Sequence, residues 1–206
     1  MKILGITGGV GSGKSRILYD IEREYGAYIV EADKLAHRLM EHGMSIYNAV
    51  CEEFGKGILQ DMPPYDIDRK KLGEIVFHDK DSLDRLNEIS HPLVKKHIIS
   101  LINQKKNEGG CKLFVIEAAL LIEDGYKNIC DEIWYVWVDA EERTNRLIKQ
   151  RGYTRQKCID IFNSQSDDDY YKKYADFTIN NQLDYDFSSK QLKARLNKFL
   201  CDDIIT

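Results

Sequence analysis

Residues 6–15 read Ile6-Thr7-Gly8-Gly9-Val10-Gly11-Ser12-Gly13-Lys14-Ser15. From Gly8 onward they fit G-x-x-x-x-G-K-[ST] in full. The flanks agree with that pattern. Lys2-Ile3-Leu4-Gly5-Ile6-Thr7 is a short apolar run, as expected of a strand buried on both faces. Beyond the loop, Ile17, Leu18 and Ile21 recur at helical spacing. Between a strand and a helix, glycines let the main chain approach an anion closely. Successive N–H groups then converge on phosphate, helped by the positive end of the helix. On this reading Gly8, Gly9, Gly11, Ser12, Gly13 and Arg16 lie against a nucleotide. Lys14 meets its β and γ phosphates, and Ser15 offers a hydroxyl to Mg²⁺. The pattern does not name the phosphate acceptor.

Four more short apolar runs follow. Tyr28-Ile29-Val30 ends in Glu31-Ala32-Asp33, and Lys112-Leu113-Phe114-Val115-Ile116 ends in Glu117. Ile133-Trp134-Tyr135-Val136-Trp137-Val138 ends in Asp139, and Phe177-Thr178-Ile179 ends in Asn180-Asn181. Buried strands separated by helical stretches imply right-handed crossovers and a five-stranded parallel sheet. The expected architecture is α/β, a three-layer P-loop NTPase fold. Its core covers about 1–33, 112–140 and 175–206, with an insertion over about 34–111 and a charged segment over about 141–174. In the insertion, Leu83, Leu86 and Ile89 suggest one helix and Leu93, Val94, Ile98, Leu101 and Ile102 another. Pro92 is expected in the first turn of the second, where its missing N–H costs nothing. Residues 140–175 carry Arg143, Arg146, Arg151, Arg155, Lys172 and Lys173, and are expected to form a solvent-facing helical hairpin.

Composition narrows the class. The 206 residues suffice for one domain with insertions, and 43% hydrophobic against 31% charged residues is a globular balance. Thirty Lys and Arg against 34 Asp and Glu leave a net charge of −4, which disfavours nucleic-acid binding. No apolar run approaches the roughly 18 residues that span a bilayer. The first apolar stretch runs into glycines rather than a cleavage site. The five cysteines are odd in number, without CxxC spacing, and read as reduced thiols in a cytoplasmic protein. The oligomeric expectation is a monomer or weak homo-oligomer.

The residues leave several reaction classes open. No N/T-K-x-D element for guanine follows the later strands, and the chain is short for an ATP-driven machine. A small-molecule kinase needs an orienting carboxylate and cations over the leaving phosphates. Asp33 sits at the carboxyl end of the second strand, where open α/β sheets bind ligands. It either engages an acceptor hydroxyl or caps the following helix. Arg143 and Arg146, three apart, either fold over a triphosphate as a lid or form a solvated face. Glu117 and Asp139 are strand-terminal acids able to order Mg²⁺ through water. His91 either meets the acceptor or marks a helix junction. Trp134 and Trp137 face opposite sides of one strand and read as packing residues.

Taken in order, these elements resemble the dephospho-CoA kinase family. The opening loop is similar to its P-loop, and Glu31-Ala32-Asp33-Lys34-Leu35-Ala36-His37 to its D-A-D-x-x-A-[HR] segment. Asp68-Arg69-Lys70-Lys71-Leu72 through Val76-Phe77 resembles D-R-x-x-L…[IV]-F, and Leu86 to Val94 resembles L-x-x-I-x-H-P-x-[VI]. Leu120-Leu121-Ile122-Glu123 is similar to its P-L-L-x-E loop, and Ala175-Asp176 through Asn181 to its A-D-x-x-I-x-N ending. The resemblance implies transfer of the ATP γ-phosphate to the ribose 3′-hydroxyl of dephospho-CoA, giving CoA and ADP with Mg²⁺, the last step of coenzyme A synthesis. It implies that Asp33 engages that hydroxyl beside Lys14 and Arg146. It places Arg69, His91, Leu120, Leu121 and Glu123 on the acceptor side and Asn181 near adenine. It makes the insertion a CoA-binding region and residues 141–174 a lid. Four positions depart from the pattern: Glu31 for Asp, Arg16 for Thr, Ala119 for Pro, and Gln150 where the lid's second arginine is expected, Arg151 standing one later.

Overall fold

The computed structural model describes residues 1–201. Five strands form one sheet: β1 (Lys2–Thr7), β2 (Tyr28–Glu31), β3 (Leu113–Glu117), β4 (Glu132–Trp137) and β5 (Phe177–Asn180). Their order is β2-β3-β1-β4-β5. β1 pairs in parallel with β3, Ile3 opposite Phe114, and with β4, Ile6 opposite Trp134. β4 pairs in parallel with β5. The fold is the α/β parallel sheet that the apolar runs imply.

The chain divides into two compact units, residues 1–29 with 110–206, and residues 30–109. In the first, α1 (Lys14–Tyr25) and α9 (Tyr185–Cys201) cover one sheet face. Ile17, Leu18 and Ile21 of α1 join Leu192, Leu196 and Phe199 of α9 against Leu4, Ile6, Val115, Trp134 and Val136. Trp134 is fully buried, its ring edge-on to Phe177 and Phe199. On the other face, Leu121 packs onto Gly5, and Tyr135 stacks on Tyr171 at 4.9 Å. Strands covered on both faces are apolar at nearly every position, hence the short unbroken runs.

The charged segment is helical and largely exposed, as expected, but it is three helices and not a hairpin. It forms α6 (Ala140–Arg151), α7 (Arg155–Asn163) and α8 (Asp168–Tyr174). Asp139, Thr154 and Asp167 cap them, each accepting a backbone N–H three residues on. α8 is tied to β4 through Asp168, which accepts from Tyr135 Oη and Trp137 Nε1, both at 2.6 Å. Tyr171 is buried beside them, and desolvation pushes its phenol up to about 12.

The second unit holds α2 (Ala32–Leu39), α3 (Ser45–Phe54), α4 (Arg69–His78) and α5 (Lys80–Glu108). Its core draws on Leu35, Leu39, Ile46, Val50, Ile58, Leu72, Val94, Ile98 and Ile102. Here the structure corrects the expected pair of helices around Pro92. α5 is one 29-residue helix with Pro92 inside it. An interior proline costs about 3 kcal/mol. Burying Val94, Ile98 and Ile102 beyond it returns about 1.5–3 kcal/mol each, enough to carry the helix through. Among the described residues no helix is long and apolar enough to cross a membrane.

Candidate active site

The loop between β1 and α1 is held at its base by Asn181. Its side-chain N–H donates to Ser12 O at 2.7 Å, and its Oδ1 accepts from Ser188 Oγ at 2.7 Å. Gly13 has φ +91°, and a Cβ there would strike the Asn181 amide. Only glycine satisfies both demands. No side chain caps α1, and its first turn holds no acid, so its N–H groups and positive dipole end stay available to an anion. Ser12 Oγ is buried without a hydrogen-bond partner. Buried polar atoms are usually satisfied, so a cradle with an orphan hydroxyl fits a phosphate ligand.

Lys14 Nζ donates to Gly8 O at 2.7 Å and lies 3.4 Å from Glu117 Oε1. Glu117 ends β3, the neighbour of β1, and is 8% exposed. The carboxyl ends of adjacent strands thus place an ammonium, a carboxylate and the Ser15 hydroxyl about the loop, where α/β sheets take ligands. Asp139 does not share this role: it caps α6 and also accepts from the Gln182 side chain.

The two arginines expected in a lid part company. Arg146 Nε pairs with Glu142 at 2.8 Å, and its Nη2 donates to Asn181 O at 2.9 Å. Arg143 is buried instead of solvated, and its guanidinium reaches Val10 and Gln165. Arg151 lies over the Tyr153 ring at 6.0 Å. Arg16 is over half exposed and lies over Tyr185, 4.7 Å from its centroid. Gln165 gave no signal in sequence, because a glutamine before an Asp-capped helix reads as a linker.

The residues expected on the acceptor side belong to both units. Leu120 is exposed, whereas Leu121 is fully buried, its side chain on Gly5. Glu123 accepts from Ser166 Oγ at 2.7 Å. In the second unit Arg69 lines a cavity of about 440 Å³ with His37, Lys70, Glu41, Asp66 and Asp68. His91 lines a separate one of about 380 Å³ with Asp84, Asn87 and Glu88. Asp33 is exposed in the first turn of α2, and Glu31 stands at the cap position instead. Capping is therefore not what Asp33 does.

Residues 2–186 match the family model described as dephospho-CoA kinase. A dephospho-CoA kinase of Aquifex aeolicus is 39% identical over 94% of this chain and 95% of its own length. That of Dehalococcoides mccartyi is 36% identical over 90% of this chain and 91% of its own. The solved structure of the dephospho-CoA kinase from Campylobacter jejuni superposes with a TM-score of 0.71 at 24% identity, covering 98% of this chain and all of that one. At that identity the superposition speaks for the fold.

Proposed function

The chain belongs to the dephospho-CoA kinase family, and from that premise we propose how its residues divide the work of passing the ATP γ-phosphate to the ribose 3′-hydroxyl of dephospho-CoA. The observation that supports ATP as the donor is the cradle itself, with Lys14 between Gly8 O and Glu117, an uncapped helix end and the orphan Ser12 hydroxyl; the acceptor follows from the family. Main-chain N–H groups of residues 11–15 hold the β-phosphate. Lys14 neutralises charge that gathers on the bridging and leaving oxygens. Asp33 accepts the proton of the 3′-hydroxyl as its oxygen bonds to phosphorus and the bond to ADP breaks. Arg146, free to exchange Glu142 for a phosphate, adds a second cation over the leaving group. Arg69 and Lys70 give the second unit's cavity cations suited to an acceptor carrying a diphosphate.

Among the described residues no cluster of three or more acids, histidines or cysteines forms a metal cage. Magnesium bound with a nucleotide needs only one or two protein oxygens. Ser15 and Glu117 fit that need, the second through water. When bound, the ion neutralises phosphate charge and orients the triphosphate.

The test is ADP release from ATP across an acceptor panel that includes dephospho-CoA, with and without EDTA. Turnover is expected with dephospho-CoA and Mg²⁺, and loss of it with the chelator. Preference for shikimate or a nucleoside monophosphate would overturn the acceptor; full activity in EDTA would overturn the metal. Replacing Arg146 is a second check. Arg146→Ala is expected to lower kcat by about 10²-fold, the scale for one transition-state donor. ATP affinity measured by calorimetry should fall much less, and equal losses would make Arg146 a ground-state binder only.

A further inference from the structure

Arg143 has a different task from Arg146. It is 8% exposed, and no ion pair to it occurs among the described residues. Its Nε donates to Val10 O at 3.0 Å, and its Nη2 to Gln165 Oε1 at 2.9 Å. Gln165 Oε1 also accepts the Val10 N–H at 3.3 Å. Both backbone polar groups of Val10 are thus taken by side chains from the segment 140–174. The guanidinium carbon lies 4.1 Å from the Phe162 ring centroid, and the group occupies the space a Cβ on Gly9 would need. Residue 9 is bare where the arginine lies.

The tip of the phosphate loop is rich in glycine, which loses the most freedom on ordering. Phosphoryl transfer is mainly a matter of positioning, and a misplacement of about 1 Å can cost about 10²-fold. We infer that Arg143 and Gln165 are positioning residues that strap the tip of the phosphate loop to the lid, so that loop and lid hold one geometry through Val10. Arg143 acts through the main chain and need not touch the nucleotide. Burial lowers its pKa, while Tyr135, Asp168 and Tyr171 counter that electrostatically. A guanidinium keeps its proton there. The inference rests on ATP occupying the loop.

The experiment measures kcat, KM for each substrate and Tm for the wild type and for Arg143→Ala, Arg143→Lys, Gln165→Ala and Gly9→Ala. Arg143→Ala is expected to lose about 10–10² in kcat, with KM for dephospho-CoA changed less than about twofold. Millimolar guanidinium should restore part of that loss. Arg143→Lys should not, because an ammonium lacks the planar fork that reaches Val10 and Gln165 together. Gly9→Ala, which leaves Arg143 in the chain but expels its guanidinium, should lose a similar factor. The double variant Arg143→Ala/Gln165→Ala should be little worse than the poorer single, since the two side chains share one contact and one target, Val10. A kcat within twofold of wild type in Arg143→Ala, a fully active lysine variant, or additive losses would each overturn the strap. Should Arg143→Ala fail to fold, Gln165→Ala decides: unchanged kcat overturns the proposal. A wild type that ignores dephospho-CoA but turns over ATP on another acceptor would overturn the acceptor reading alone, and the same variants would then be read on that acceptor.

Discussion

Lys14→Ala is expected to lower kcat by about 10³-fold. The ammonium sits in a shielded spot, 15% exposed, between a carbonyl and the Glu117 carboxylate. A unit charge about 4 Å from another is worth about 4 kcal/mol at an effective dielectric near 20. At about 1.4 kcal/mol per tenfold, that converts to about 10³ in rate when the partner charge is the one developing on the leaving phosphate. ATP binding should fall too, because ground-state phosphates carry charge, but by a smaller factor. Calorimetry for binding and single-turnover ADP formation for chemistry separate the two. Turnover within tenfold of wild type would show the ammonium to be structural, serving only Gly8 and Glu117.

Asp33→Asn is expected to cut kcat by about 10²–10⁴, the usual scale for removing a general base. KM for ATP should stay within about twofold. The change is isosteric and the carboxylate makes no hydrogen bond or ion pair among the described residues. Its contribution to stability is that of an acid in a helix first turn, about 0.3–1 kcal/mol. A rate loss of the expected size therefore exceeds anything that partial unfolding would produce, and an unchanged Tm would confirm the separation. Normal turnover in this variant would leave the acceptor hydroxyl without its base and sink the assignment.

Much of this was legible in the sequence because backbone demands leave fixed letters. The eight residues from Gly8 to Ser15 state a loop, a cation and a hydroxyl, and the apolar runs state strands covered on both faces. What escaped depends on tertiary choices. Arg143 and Arg146 look alike at spacing three, yet α6 turns one toward Val10 and leaves the other on Glu142 and Asn181. Asp139 and Glu117 both read as strand-terminal acids, but Asp139 lies beyond β4 and caps a helix, while Glu117 ends β3 and meets Lys14. Pro92 reads as a helix boundary by local rules, and only the buried residues beyond it explain why α5 continues. Gln165 has no periodic or motif signal at all. Its role follows from a partner 155 positions away.

The first unit is built from two stretches of chain, residues 1–29 and 110–206, with the whole second unit between them. β1 lies in the middle of the sheet, and both strands that flank it come from beyond residue 110. During synthesis, β1 and the nucleotide loop emerge first but have no neighbours to hydrogen-bond until more than half the protein has been made. The helices of residues 30–109 can collapse on local contacts in the meantime. The most function-bearing turn of the chain is thus among the last to acquire its shape, and premature termination after the helical region leaves an apolar strand with exposed edges, a substrate for aggregation or for chaperones.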